Sequence, residues 1–355
     1  MNMNTKRLKA LRITLSEKNI PAILISRAEN RYYLSSFSGS SGYLLITADR
    51  QILATDFRYV EQVKQQSPDY SLFETRGEIA KWFPEFLSGT GLKELYFESE
   101  DITFERYSKI KEILIALGIE LKPSMGIVED LRAVKEPGEI ALIDKAVAVS
   151  DAALEHIRRF ARPGMTELQM AWEIEKHMRE HGSEAVPFEV IVAAGKNAAL
   201  PHHRPSDYIV RKGEPVVIDI GAKCEGYASD LTRTICLGKE DSQFRKIYEI
   251  VLEAQSSAET QIAAGMTGST ADAVARDIIS TAGYGPDYGH GLGHGVGLVI
   301  HEKPYVGVTS KDILADGMVF TVEPGIYLPD WGGVRIEDTV VMESGKIRVL
   351  STALK

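Results

Sequence analysis

Cysteine is scarce in this chain. Its 355 residues include two, Cys224 and Cys236, and neither stands in a CxxC or zinc-knuckle spacing. That excludes a disulfide-built secreted scaffold and points to a reducing compartment, the cytoplasm. Long apolar runs are also missing: no stretch approaches the ~18 residues that a bilayer-spanning helix needs. The opening MNMNTKRLKALRITLSEKNIPAILIS mixes charge through its apolar positions, so it reads as an amphipathic helix rather than a signal peptide. A membrane protein is not expected. Lys and Arg form no stripe and the formal net charge is -9, which excludes a phosphate-binding surface and leaves small or polypeptide substrates rather than nucleic acid. Histidine is lacking before residue 155, and all eight imidazoles follow it. Chemistry that needs imidazole therefore belongs to the second part of the chain.

The length corresponds to about two domains at ~100 to 200 residues each. The first part alternates helical and strand patterns: helix over 6–18, strands over 22–26, 43–47 and 51–55, helix over 58–66, strand over 94–98 and helix over 104–117. This is an α/β domain, expected over 1–125. The second, over 126–355, starts a long helix at Pro137 and a further one over 168–182. Its strand-like segments (VPFEVIVAAG, PVVIDIGA, YASDLTRTIC, MVFTVEPGIYL, VRIEDTVVM) alternate with helical ones, which predicts an α+β domain with a largely antiparallel sheet.

The chemistry lies in four segments: DIGAKCEGYASD (219–230), GHGLGHGVGLVIHE (289–302), TVEPGIY (321–327) and GGVRIED (332–338). Asp219 interrupts an apolar run, where a buried carboxylate needs a partner. A turn over 223–226 would set it directly opposite Asp230, with Cβ atoms roughly 4.5 to 5.5 Å apart. Folding the later segment about 329–332 likewise sets Glu323 opposite Glu337, with Arg335 on the same face. Facing carboxylates repel by about 4 kcal/mol at 4 Å in an effective dielectric near 20, so the pairs call for cations between them. Four carboxylates match the charge of two divalent ions, and His294 adds a nitrogen ligand. The glycines around His294 suit a loop that wraps a site. They do not make a dinucleotide fingerprint, because no strand-to-helix turn accompanies them. Each residue alone has a plainer explanation, a hydrogen-bonded core histidine or a salt-bridged acid. Together they must all meet one cluster.

These residues resemble the pita-bread metallopeptidases: Xaa-Pro aminopeptidase, Xaa-Pro dipeptidase and methionine aminopeptidase. RYYLSSFSGSSG and TDFRYVEQ look like the creatinase-type N-terminal domain, which disfavours methionine aminopeptidase. The resemblance implies metal ligands at Asp219, Asp230, His294, Glu323 and Glu337, holding two divalent ions. The oxygen-rich set suits manganese or cobalt, with zinc as the alternative. It implies catalytic roles for His202, His301 and Glu323. Substrate contacts are expected from His202, His290, His301 and Phe188, and from Arg335, which would orient either a carboxylate or a ligand. Thr232, on the face of Asp230, is a candidate donor to a ligand. His203 matches nothing in the pattern, and His156, His177 and His181 lie on helical faces with no expected role. The implied activity is Xaa-Pro aminopeptidase acting on short proline-containing peptides as a homodimer. The alternatives are Xaa-Pro dipeptidase and a non-catalytic peptide-binding homologue.

Overall fold

The computed structural model describes residues 3–355. They form two compact units, the first ending at Arg132 and the second running Ala133–Lys355, so that the division falls within a helix.

The first unit is built on a six-stranded mixed sheet. Its strands are β1 (Ala22–Ile25), β2 (Tyr43–Thr47), β3 (Gln51–Thr55), β4 (Ser71–Glu74), β5 (Glu94–Glu98) and β6 (Glu120–Ser124), in the order β4-β3-β2-β1-β5-β6. β1 is central and fully buried, as its unbroken AILI run requires. The helices are α1 (Met3–Glu17), α2 (Ala28–Ser35), α3 (Val60–Gln66), α4 (Ile79–Phe86), α5 (Phe104–Ala116) and α6 (Ile127–Ala133). α1 buries Leu8, Leu11 and Leu15, one face at helical spacing. The two edge strands, β4 and β6, have no sequence expectation behind them. They are half exposed, so no apolar alternation marks them.

The second unit has two similar halves. In the first, α7 (Pro137–Phe160) and α8 (Glu167–Glu180) cover a sheet ordered β11-β8-β7, formed by β7 (Ile191–Ala194), β8 (Pro215–Ile220) and β11 (Leu231–Cys236). Between β8 and β11 lies the short ribbon β9 (Lys223–Cys224) and β10 (Tyr227–Ala228). Ile157, Met170, Ile174, Val192 and Ile218 fill the space between helices and sheet. In the second half, α9 (Ser242–Gln261) and α10 (Gly268–Thr281) cover β13-β12-β14-β17-β18. These strands are β12 (Gly293–Gly295), β13 (Glu302–Val306), β14 (Val319–Val322), β17 (Asp338–Glu343) and β18 (Lys346–Val349). Ile247, Val251, Phe320, Val340 and Met342 form that core. A separate ribbon, β15 (Gly325–Leu328) and β16 (Gly332–Arg335), joins β14 to β17. The single sheet expected here is thus several, all antiparallel.

Capping sets the helix starts. Pro137 opens α7 while the Glu139 carboxylate accepts the Glu136 N–H at 2.9 Å, and Thr166 and Gln169 exchange bonds at the start of α8. No helix among the described residues is long and apolar enough to cross a membrane.

Candidate metal centre

The acidic hairpin differs from its expected register. Glu225 and Gly226 both take positive φ, 49° and 86°, and make a two-residue turn that sets Tyr227 opposite Cys224. Asp219 therefore faces Thr232 rather than Asp230. Asp230 sits two positions along, diagonal to Asp219, and a shift of two keeps both acids on one face. The second pair stands as expected. Gly325 faces Arg335 on one side and Val322 faces Asp338 on the other, which sets Glu323 against Glu337 in the gap between two ladders.

Within the glycine-rich segment Gly293–Gly295 form a strand, and the residues on either side of it are loop. β12 runs between β13 and β14, and none of Gly289, Gly291, Gly293, Gly295 or Gly297 takes a positive φ. Space, not dihedral freedom, demands the two glycines of β12: a Cβ at Gly293 would strike the Thr321 carbonyl and one at Gly295 the Lys303 carbonyl. The close packing carries His294 into the acids.

Asp230, His294 and Glu337 present ligand atoms that all lie within 4.8 Å of one another. His294 Nε2 is 3.6 Å from Asp230 Oδ2 and 3.3 Å from Glu323 Oε1. Its Nδ1–H donates to the Gly295 carbonyl at 3.2 Å, which turns Nε2 toward the carboxylates. Asp219 is held by Arg335 Nη2 at 2.7 Å, while its Oδ1 is buried with no hydrogen-bond partner. Burial, and then the charges of its carboxylate neighbours, push Asp230 and Glu337 well above the usual carboxylate range. Burial opposes ionisation of Glu323 as well, but the hydrogen bond and charge of His294 outweigh it and bring Glu323 down to about 2. An orphaned buried oxygen, four converging carboxylates and an imidazole whose Nε2 faces them fit divalent cations bound by hard donors.

Three threonines brace the acids. Thr232 Oγ1 donates to Glu337 Oε2 at 2.6 Å, as anticipated for that residue. Thr321 Oγ1 donates to Glu323 Oε1 at 3.1 Å and accepts the His294 N–H, and Thr339 Oγ1 donates to the Asp230 carbonyl at 2.7 Å. Thr321 and Thr339 have no place in the expectations above, nor does Tyr327. The Tyr327 hydroxyl accepts from Arg335 Nη1 at 3.0 Å and lies 2.8 Å from His290 Nε2. His290 Nδ1–H already donates to the Gly291 carbonyl, so Nε2 receives the tyrosine proton and both ring nitrogens are engaged. Any substrate contact from His290 is through its ring face.

Arg335 is 3% exposed, and its guanidinium bonds to Asp219, Thr232, Tyr327 and the Pro201 carbonyl. Its 2.7 Å bond to Asp219 holds one of the expected ligands in place. The His301 ring lies 4.2 Å from that of His294, on an exposed residue. Burial and the adjoining His294 lower the pKa of His301, and His202 is near enough to lower both His301 and His290 further. Phe188 lies over Gly221, between the two acids of the first hairpin, where a Cβ would come 2.7 Å from its ring.

Residues 141–344 match the model of metallopeptidase family M24, and residues 7–134 match the creatinase/prolidase N-terminal domain. The solved Xaa-Pro dipeptidase from Bacillus anthracis is 40% identical, with a TM-score of 0.96 over 99% of this chain and 98% of that one. The X-Pro aminopeptidase structure from Thermotoga maritima is 37% identical, with a TM-score of 0.87 over 95% of this chain and 97% of that one. The Xaa-Pro dipeptidase of Pyrococcus horikoshii is 37% identical over 99% of both chains. The chain belongs to metallopeptidase family M24, with the pita-bread fold and a creatinase/prolidase N-terminal domain.

Proposed function

We propose that this protein is a dinuclear-metal exopeptidase that cleaves the bond between an N-terminal residue and a following proline, an Xaa-Pro aminopeptidase. The observation that carries the reading is the convergence of Asp230, His294 and Glu337 with Glu323 and Asp219 at one buried point. In this reading Asp219, Asp230, His294, Glu323 and Glu337 would together hold the two ions. Four carboxylates and one imidazole suit manganese or cobalt, with zinc as the alternative. When bound, such ions polarise the scissile carbonyl and acidify a water.

The chain's own groups do the rest. Glu323, whose Oε1 lies 3.3 Å from His294 Nε2, receives the proton of the attacking water. His301 donates to the oxyanion that develops on the carbonyl, and His202 holds the substrate near the leaving nitrogen. The ring face of His290 and the Phe188 ring flank the proline, whose missing N–H and fixed φ defeat proteases that grip an extended backbone. The catalytic part is the chain after residue 125, and the cytoplasm and a homodimer complete the proposal.

Xaa-Pro dipeptidase is the second reading, favoured by the names of relatives from Bacillus anthracis and Pyrococcus horikoshii. Mass spectrometry of Xaa-Pro and Xaa-Pro-Yaa-Zaa digests with added manganese or cobalt decides between them. Release of one residue from the longer peptide means aminopeptidase, and turnover of the dipeptide alone means dipeptidase. In the same assay Asp230→Asn should lose both ions and all turnover while staying folded. Two ions by elemental analysis with unchanged turnover would overturn the ligand set.

A further inference from the structure

Glu167 stands at the first position of α8 with a side chain that is completely buried. A carboxylate at such a site is costly unless donors surround it, and here they do. Oε1 accepts from the Ala194 N–H at 2.8 Å and Asn197 Nδ2 at 3.0 Å. Oε2 accepts from His203 Nε2 at 2.8 Å, the Ser206 N–H at 3.0 Å and Ser206 Oγ at 2.7 Å. The N-terminus of α8 adds its own favourable dipole.

All these donors belong to one segment, 194–206, and they fall into two groups at its ends. Between the groups, next to His203, is His202, which is exposed. The other side of the segment lies on β16. A Cβ at Gly332 would come 2.6 Å from the Gly195 carbonyl, one at Gly333 would strike the Ala198 carbonyl, and Arg335 Nη1 reaches the Pro201 carbonyl at 3.4 Å. The segment is therefore gripped from below by one carboxylate and from above by the strand that leads to Glu337. A carboxylate only accepts, so His203 Nε2 carries its proton in this contact.

We infer that Glu167 and His203 are positioning residues for His202. Glu167 fixes both feet of the segment, and His203 converts that anchor into a defined place for the imidazole beside it in sequence. The inference rests on the substrate role given to His202 above. Since His202 and His203 are neighbours, losing the His203 contact loosens the backbone next to His202 while Ala194, Asn197 and Ser206 still hold the two ends of the segment.

The test is a mutant cycle on the full-length, metal-loaded protein, with kcat and KM for an Xaa-Pro peptide, metal content and melting temperature as readouts. His203→Leu should lower kcat/KM by about 10- to 100-fold, the scale of a misplaced reacting group, and leave both ions bound. His203→Gln keeps an N–H at similar reach and should recover most of the loss. In a His202→Ala background, His203→Leu should cost nothing more. Should His203→Leu lose its ions or its fold, His203→Ala, which leaves room for a water on Glu167, carries the same comparison. Undiminished activity in a folded His203 variant, failure of Gln to rescue, or losses that multiply in the double mutant would each overturn the inference. Full activity of His202→Ala would remove the reading of His202 itself, whereas a damaged His202→Ala beside an intact His203→Leu removes only the positioning role.

Discussion

At the scale of single residues, the centre is organised by a spacing of two. Asp230 and Thr232, Thr321 and Glu323, and Glu337 and Thr339 are each two residues apart, so three of the four acids have a threonine on their own face. That pattern, D-x-T, T-x-E and E-x-T, was readable in the sequence, yet only Thr232 was singled out there. Thr232→Val keeps the shape of the side chain, removes the 2.6 Å bond to Glu337 and leaves Arg335 Nε without its acceptor. Metal affinity, measured by competition with a chelator, should fall about 10- to 100-fold with the fold intact. The five ligand candidates stood out in the sequence because four are carboxylates in or next to strand-like segments and His294 lies between glycines. Glu167 and His203 did not, because an anchor of this kind is made by partners 27 to 39 residues away and leaves no local mark.

At the scale of elements, strand β12 shows what composition alone misses. Its glycines read as a loop because glycine disfavours strands, but neighbouring carbonyls on both sides leave no room for a side chain. Gly293→Ala should therefore push β12 away from β14 and displace His294, with a loss of about 1 to 3 kcal/mol of stability and weaker metal retention, read by denaturant melts and elemental analysis. The helix pair α7 and α8 carries a different signature. The rings of His156 and His177 stack with centroids 4.4 Å apart, and those of His177 and His181 at 3.9 Å. Burial lowers the pKa of His177, and His181 and His156 add to the effect, while Glu173 and Glu180 oppose it. The folded state thus resists a proton that the unfolded chain accepts near the ordinary value of ~6.5. Stability from the stack is complete above that pH and is lost as pH falls through it. His177→Gln should flatten the drop in melting temperature between pH 7 and pH 5. An equal drop in both proteins would rule the stack out as its cause.

Across the whole second unit, one buried ion pair ties distant parts of the chain together. Arg233 and Asp338 meet at 2.7 Å with almost no exposure, and the same guanidinium donates to the carbonyls of Glu337, Ala353 and Leu354. Gln255 from α9 and Lys355 also reach the Asp338 carboxylate. Arg233→Met should cost about 3 to 5 kcal/mol because it leaves a buried charge short of its partner. Calorimetry that showed the variant as stable as the parent would contradict this. None of these long connections was visible beforehand, although Arg233 and Asp338 each adjoin a residue of the centre. The two-part organisation and the antiparallel pairing of the second unit were visible, since alternation within a strand is local. The separation into several sheets was not, because it depends on where each ladder stops.

One such stop has a mechanical meaning. The strand pair that begins as β14 and β17 continues as β15 and β16, and Glu323 and Glu337 occupy the break between them. Beyond the break, β16 lies against β11 of the other half, where Thr234 Oγ1 bonds to both the N–H and the carbonyl of Arg335. A single hairpin thus bridges the two half-cores with its acids at the crossing. The spacing of the charges is therefore set by both half-cores at once, so a change in the packing of either one reaches the acids through this hairpin.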